Sequence, residues 1–230
     1  MEKPDQNRFE KSRRIVTRSG GILRGEFASC RFQSQIKWEE GIEKDFLALI
    51  EFSARVKNVI SQPFKAIFVA DGNRTSRTPD FLVDMDHERI IVECKPEERL
   101  KDPRVIEHLR AAENQFVNHG YRYEVVTDKT IRCGNALRNA KRLLRYRLRP
   151  LQQRHEIERI HQCKELLREK HTSLTFSDAV SLLGSETDVF VLIASGLVHI
   201  DFQLPITSET IISFDLIKES PDAASFLFTK

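Results

Sequence analysis

The chain has 230 residues, of which 40% are hydrophobic and 31% are charged, and its formal net charge is +3. This length suits one or two domains that bury a substantial core, and the composition is that of an ordinary soluble protein. No run approaches the roughly 20 apolar residues of a membrane span, and the charged N-terminus lacks the apolar segment of a secretory signal. We therefore expect a cytoplasmic protein without a membrane partner.

The cysteines are widely spaced and form no C-x-x-C pair. This spacing indicates neither a zinc site nor a disulfide framework. We expect reduced thiols at Cys30, Cys94, Cys133 and Cys163.

The first 28 residues are polar and basic, and we interpret them as a loosely ordered arm. Two roles stay open for it, a solvated tail and an arm that follows DNA phosphates. Its cations include Arg8, Lys11, Arg13, Arg14, Arg18 and Arg24.

Residues 37–52 have the periodicity of an amphipathic helix. Glu39 and Glu43 fall within or beside its apolar sector, and a buried unpaired carboxylate is costly, so we expect a compensating partner such as a metal ion. For Glu39 the favourable place of an acid near a helix N-terminus is the preferred explanation, but it weakens for Glu43, which lies deeper. The apolar side comprises Trp38, Ile42, Phe46, Leu49 and Ile50.

The next segment predicts a strand over residues 62–69 that is entered through Pro63. Asp71-Gly72-Asn73 is typical of a turn, and the polar stretch NRTSRT then leads into residues 78–96.

Two apolar runs, Phe81–Met85 and Ile90–Cys94, flank the tetrad Asp-His-Glu-Arg and predict a β-hairpin. A symmetric turn centred between His87 and Glu88 would place Asp80 opposite Lys95 and Leu82 opposite Glu93. Asp80, Glu93 and Lys95 then share one face, and the opposite face is wholly apolar. A slip of one residue would bury the charges, so the pattern specifies which face each side chain occupies.

Two carboxylates beside an amine suit a nuclease. The carboxylates bind Mg²⁺, the ion polarises a phosphodiester oxygen, and the ammonium positions or helps deprotonate the attacking water. Asp80 followed by Glu93-Cys94-Lys95 resembles the PD-(D/E)xK nuclease superfamily. The alternative is a surface hairpin with one salt bridge.

Downstream, Asp102-Pro103 predicts the start of a helix that Gly120 ends, and residues 121–126 predict a further strand. The order helix, three strands, helix, strand indicates an α/β sandwich with a mixed sheet.

Residues 129–155 contain no Asp or Glu, and the segment predicts an amphipathic helix with a strongly basic side. A solvated helix normally mixes charges of both signs. A surface for DNA or another polyanion and a purely structural helix both stay open. The candidate DNA-binding residues are Arg138, Lys141, Arg142, Arg145 and Arg149.

The remainder predicts three helices, at residues 154–170, 175–184 and 187–195, followed by an apolar ribbon formed by residues 197–202 and 210–214. This order suggests a small winged-helix-like domain. Its second and third helices are poor in Lys and Arg, which makes major-groove reading doubtful and a role in protein binding or packing at least as plausible.

A longer set of motifs resembles TnsA, the endonuclease subunit of heteromeric cut-and-paste transposases. The resemblance is strong over residues 25–135 and looser beyond, which suggests a restriction-endonuclease-like domain at 1–133, including the arm, and a helical, winged-helix-like domain at 134–230. The matching words are Phe27-Ala28-Ser29, Trp38-Glu39-Glu40-Gly41-Ile42-Glu43, Gln62-Pro63, Thr78-Pro79-Asp80-Phe81-Leu82-Val83, Glu93-Cys94-Lys95-Pro96 and Thr127-Asp128.

The resemblance implies that Glu43, Asp80 and Lys95 form the catalytic set, with Glu93 as an additional metal ligand and Cys94 contributing its backbone carbonyl. Members of the family can have Gln at the position of Glu93. The implied cofactor is Mg²⁺, for which Mn²⁺ can substitute.

The implied reaction is hydrolysis of one strand at each 5′ end of a transposon in the bacterial cytoplasm. The implied partners are double-stranded transposon-end DNA, a TnsB-type integrase and a TnsC-type AAA+ ATPase. Two alternatives stay open, a resolvase-like or restriction-like nuclease that acts alone and a non-catalytic DNA-binding assembly subunit. The intact carboxylates weigh against the second alternative.

Overall fold

A computed structural model of the protein describes residues 9–10, 23–70, 73–147, 154–169, 172–214 and 223–228. Most of the predicted N-terminal arm therefore lies outside the described residues. The chain divides into two compact units, of which the first is Met1–Phe46 with Arg55–Ile131 and the second is Leu47–Ala54 with Arg132–Lys230. The proposed assignment of residues 1–133 and 134–230 to separate domains stays a prediction.

The first unit has a mixed α/β fold that fits an α/β nuclease core. Its elements are β1 (Phe9–Glu10), β2 (Gly25–Ser29), β3 (Ser34–Trp38), α1 (Gly41–Ile50), β4 (Val56–Ser61), β5 (Lys65–Ala70), β6 (Asn73–Arg77), β7 (Phe81–Met85), β8 (Arg89–Lys95), a 3-10 helix (Glu97–Lys101), α2 (Pro103–Asn118), β9 (Arg122–Thr127) and α3 (Asp128–Ile131). The last residues of α1, from Leu47, belong to the second unit. A four-stranded sheet has the order β4-β7-β8-β9, in which β8 and β9 are parallel and the other neighbours are antiparallel. Smaller sheets pair β1-β5-β6 and β2-β3.

Several segments that the sequence did not predict as strands are strands, including β4, which lies at one edge of the central sheet. Gly25–Ser29, the end of the predicted arm, is β2, in which Phe27 and Ser29 are buried. The polar stretch that ends at Arg77 is β6, which pairs with β5. Backbone pairing forms these ladders, so an edge strand such as β6 needs no apolar periodicity of its own.

The predicted hairpin is confirmed, but its register is wrong by two residues. Phe81 pairs with Val92 and Val83 with Ile90, which centres the turn one position earlier than predicted. The Met85 amide donates to the Glu88 carbonyl oxygen across 2.9 Å and closes this turn. Side chains alternate with a period of two, so the displacement leaves each of them on its predicted face.

The helix predicted over residues 37–52 begins later, at Gly41, and ends at Ile50. Trp38 belongs instead to β3, where Ile36 and Trp38 are buried and Lys37 is exposed, the alternation of a strand. The apolar Trp38 thus continues the alternation of a strand and does not belong to the first turn of the helix. The later start places Glu43 in the first helical turn.

In the second unit, the helices predicted at residues 154–170, 175–184 and 187–195 are found close to their expected bounds. The basic segment at residues 129–155 does not begin as one helix at Lys129, since α3 ends at Ile131 and α4 begins at Ala136. Thr175 caps α6 by accepting from the Asp178 amide, and Gly184 ends it at φ 69°, a conformation that favours glycine. The elements are α4 (Ala136–Arg147), α5 (Arg154–Arg168), β10 (Ser173–Thr175), α6 (Phe176–Leu183), α7 (Glu186–Ala194), β11 (Ile211–Ser213) and a 3-10 helix (Ser225–Leu227).

The predicted apolar ribbon is reduced to a single bridge between His199 and Ser213, and β11 pairs with β10 instead. The winged-helix assignment stays a prediction. None of the helices in the described ranges is long and apolar enough to cross a membrane.

A buried ion pair organises the second unit. The Glu51 side chain is 1% exposed, and its Oε1 lies 2.6 Å from Arg147 Nε. Arg147 also donates to the Ala194 carbonyl oxygen and lies over the Phe52 ring. This one guanidinium therefore connects residues 51–52, α4 and the end of α7.

Replacing Arg147 with Met should cost roughly 3–5 kcal/mol of unfolding free energy, because it leaves a buried carboxylate without its partner. Urea denaturation measures the loss, and Arg145→Met on the exposed side of α4 is the control. The double variant Glu51→Gln with Arg147→Met should recover part of the stability. A loss in Arg147→Met no larger than in the control would contradict this role.

Candidate active site

The structure brings Asp80, Glu93 and Lys95 together. Asp80 directly precedes β7, and Glu93 and Lys95 lie on the same face near the end of β8. The Lys95 ammonium Nζ lies 3.5 Å from Asp80 Oδ2 and 3.2 Å from Glu93 Oε2. One amine thus contacts both carboxylates that the hairpin pattern indicated.

The Asp80 side chain is anchored across the hairpin by a backbone amide of β8. Its Oδ2 accepts a hydrogen bond of 2.8 Å from the Cys94 amide. Burial raises the pKa of Asp80 above its ordinary value, the negative charge of Glu93 raises it further, and Lys95 only partly offsets both. A carboxylate in this state gains from a further cation.

Glu93 is held by a residue that the sequence analysis did not single out. Arg77, the last residue of β6, places Nε 2.5 Å from Glu93 Oε1 and Nη2 3.1 Å from Oε2. The Glu93 side chain is 1% exposed, so this two-pronged contact compensates a buried charge. Arg77 lies three residues before Asp80, but only the fold of the β5–β6 hairpin shows that it reaches β8.

Lys95 remains a cation in this environment. Burial disfavours its charged form, but the carboxylates of Asp80 and Glu93 outweigh burial and raise the pKa of Lys95. Its Nζ also lies 3.2 Å from the Cys94 carbonyl oxygen. The ammonium can therefore orient a water molecule and stabilise negative charge, which is a different role from that of a base.

Glu43, on α1, interacts electrostatically with Asp80 and Lys95. Its side chain is buried, and Oε2 accepts a hydrogen bond of 2.9 Å from the Glu39 amide, which satisfies a donor just before the helix. Burial raises the pKa of Glu43 to about 7, and the negative charges of Glu39 and Glu40 add to the effect. Glu39 itself is half-buried, with Oε1 3.6 Å from Arg24 Nε.

The donors suit a hard divalent cation in kind, because Glu43, Asp80 and the Cys94 carbonyl offer oxygen ligands of the type that Mg²⁺ prefers. Within the described ranges, no three acidic, His or Cys side chains are arranged as a ready metal cluster. Glu93 is engaged by Arg77 and Lys95. The site thus has suitable ligands, one of which is occupied by an internal cation.

A second unpredicted residue lies beside Glu93. Tyr123 stands on the same face of the sheet as Glu93, because Glu93 pairs with Val125 and Tyr123 precedes Val125 by two residues on β9. Its hydroxyl is buried and has no hydrogen-bond partner among the described residues. Burial raises the pKa of Tyr123, and the charge of Glu93 adds to it, so the phenol stays a neutral donor.

The candidate DNA-binding residues of α4 fall into separate groups. Arg138, Lys141 and Arg145 are exposed. Arg142 lies over the Phe190 ring at 4.4 Å and within 3.8 Å of Glu186, so it packs inside its own unit. Arg149 lies outside the described residues.

The raised pKa of Glu43 predicts a pH-dependent stability. Between its ordinary value of 4.5 and about 7, the folded protein binds more protons at Glu43 than the unfolded chain does. Stability is therefore lost as the pH rises through this window, and the penalty is complete above it. Glu43→Gln should raise the unfolding free energy by about 3 kcal/mol near pH 8 and change it little near pH 4.5.

Thermal and urea melts with a chelator present measure this difference. Glu51→Gln is the matched control, since Glu51 is buried but paired with Arg147 and its loss should destabilise. An equal effect of Glu43→Gln at both pH values would contradict the assignment.

Part of the chain is similar to a known protein family. No curated protein matches the chain. Residues 53–128 match the family described as TnsA-like endonuclease N terminal. The matched segment contains Arg77, Asp80, Glu93, Lys95 and Tyr123, whereas Glu43 precedes it. Residues 53–128 thus carry a TnsA-like endonuclease N-terminal domain.

Proposed function

We propose that this protein is the Mg²⁺-dependent endonuclease subunit of a heteromeric cut-and-paste transposase, hydrolysing the 5′ strand at each transposon end beside a TnsB-type integrase. The observation that carries the proposal is the contact of Lys95 with both Asp80 and Glu93, inside the segment that matches TnsA-like endonucleases. The family match by itself supports a transposon-associated nuclease.

Each residue has a role in this proposal. Asp80 and Glu93 would hold the cation, with Glu43 completing the site and the Cys94 carbonyl as a further ligand. When bound, Mg²⁺ or Mn²⁺ polarises the phosphodiester. Lys95 orients the attacking water and stabilises the charge that develops as the P–O bond breaks.

The second unit supports dependence on partners, namely a TnsB-type integrase and a TnsC-type ATPase. Helix α7, the candidate recognition helix, contains no Lys or Arg, and Val189 to Ala194 are buried within it. A helix packed in this way supplies no contacts to a DNA groove. DNA ends would then be delivered largely by another subunit.

Cleavage with a TnsB-type partner tests the function. On end-containing DNA, 5′-strand cuts should appear only when both proteins are present. Lys95→Ala should abolish these cuts while 3′-strand joining continues, so that products shift from simple insertions to cointegrates. Lys101→Ala, an exposed lysine of the 3-10 helix, is the matched control. Efficient cutting of arbitrary duplex DNA by this protein alone would favour a nuclease that acts without partners. Normal 5′ cutting by Lys95→Ala would contradict the assignment of the active site.

We also propose that the exposed side of α4 contacts the DNA backbone. Replacing Arg138, Lys141 and Arg145 with Glu should weaken DNA binding. It should also reduce the slope of log K against the logarithm of the salt concentration by roughly three, since each phosphate contact contributes about 0.9 to this slope. Fluorescence anisotropy at several salt concentrations measures both quantities. The charge-matched control replaces Arg99, Lys101 and Arg168, which are exposed elsewhere. Equal slopes for the two variants would make α4 structural.

A further inference from the structure

Arg77 and Lys95 together use most of the bonding capacity of Glu93. Arg77 contacts both oxygens of Glu93, at 2.5 and 3.1 Å, and Lys95 contacts Oε2 at 3.2 Å. An ionised carboxylate has about four acceptor positions, so these donors occupy roughly three of them. By contrast, Asp80 Oδ1 accepts no hydrogen bond from the residues that the structure describes. A divalent cation therefore meets a free oxygen on Asp80 but a competing cation on Glu93.

The local charge leads to the same conclusion. When all groups are ionised, the carboxylates of Glu43, Asp80 and Glu93 face the cations of Arg77 and Lys95, which leaves a single net negative charge. Removing the Arg77 charge would double it. Because Coulomb attraction scales with charge and these groups are largely buried, Arg77 must lower the affinity of the free protein for a divalent ion.

Arg77 has a better partner available when DNA is bound. A guanidinium binds phosphate through the same two-pronged geometry that it uses for a carboxylate. The Arg77 side chain is 22% exposed whereas Glu93 is 1% exposed, so the solvent side of this pair is the arginine. A backbone phosphate can therefore approach Arg77 without entering the buried part of the site.

The Tyr123 hydroxyl offers Glu93 an alternative hydrogen-bond donor. Tyr123 O–H is a buried donor without a partner in the described part of the chain, and it interacts electrostatically with Glu93 and Arg77. Leaving a buried donor unpaired costs free energy. The sheet thus carries a neutral donor beside Glu93 that is unsatisfied while Arg77 holds the carboxylate.

We propose that Arg77 is a positioning residue that couples DNA binding to cation binding. Without DNA it holds Glu93, and with DNA it moves to a backbone phosphate and frees Glu93 for the divalent ion. This inference rests on the proposed nuclease function. Linkage then requires duplex DNA to tighten cation binding and the cation to tighten DNA binding by the same factor.

The affinity for Mn²⁺ alone, measured on the full chain from the electron paramagnetic resonance signal of free Mn²⁺, tests the resting state. Arg77→Gln should bind Mn²⁺ about tenfold more tightly than the wild type. Arg122→Gln is the matched control, because Arg122 pairs with Glu88 and Glu124 on the same sheet and should leave the affinity unchanged. A purely structural Arg77 would give equal or weaker Mn²⁺ binding in Arg77→Gln, which overturns the proposal.

Addition of a short duplex at low salt tests the coupling. The duplex should tighten Mn²⁺ binding by the wild type about tenfold and by Arg77→Gln less than twofold. An Mn²⁺ affinity of the wild type that the duplex leaves unchanged overturns the coupling. Arg77→Lys keeps the positive charge but cannot make the two-pronged contact of a guanidinium. It provides a second variant for the test if Arg77→Gln does not fold. It should bind Mn²⁺ with an affinity between the two, and an affinity equal to that of the wild type counts against the proposal.

Asp80→Asn separates this inference from the function on which it rests. If Asp80→Asn abolishes Mn²⁺ binding while Arg77→Gln binds like the wild type, the cation site stands and the role of Arg77 falls. If Mn²⁺ binds neither the wild type nor Arg77→Gln, the cation site itself is absent and the proposed function falls with the inference.

Discussion

The candidate site depends on one buried cluster of charges, in which Glu93 is held between Arg77 and Lys95. A carboxylate buried to this extent costs several kcal/mol unless cations and hydrogen bonds compensate it. The compensating groups come from different elements, since Arg77 ends β6 and Lys95 ends β8. Their contacts fix the Lys95 ammonium between the two carboxylates and give β6, an edge strand of polar residues, a definite place beside the central sheet.

The acids of the site differ in how far the protein compensates them. Glu93 has two cations at hydrogen-bonding distance, whereas Asp80 and Glu43 rely mainly on backbone amides, and burial raises the pKa of both. Glu93 therefore behaves as part of the scaffold in the arrangement described, and the other two have most to gain from an added cation. This division underlies both the proposed metal chemistry and the proposed role of Arg77.

The basic segment of the second unit shows a similar division. Its cations look alike in sequence, but Arg147 is largely buried and contacts Glu51, and the partly exposed Arg142 packs over the Phe190 ring. Arg138, Lys141 and Arg145 face outward. A run of like charges thus serves stability on one side of α4 and leaves only the other side for a polyanion.

The pattern of residues along the chain predicts the hairpin, the shared face of Asp80, Glu93 and Lys95, and the bounds of most helices, because these follow from local periodicity and capping. It misjudged the hairpin register, since a displacement of two residues keeps the hydrophobic pattern unchanged. It also extended α1 back to Lys37, because apolar spacing over one turn fits a strand as well as a helix. The placement of Arg77 and Tyr123 beside Glu93 follows from the fold and could not be predicted from the sequence, since contacts between separate strands depend on how the sheets are arranged and leave no periodic signal in the chain.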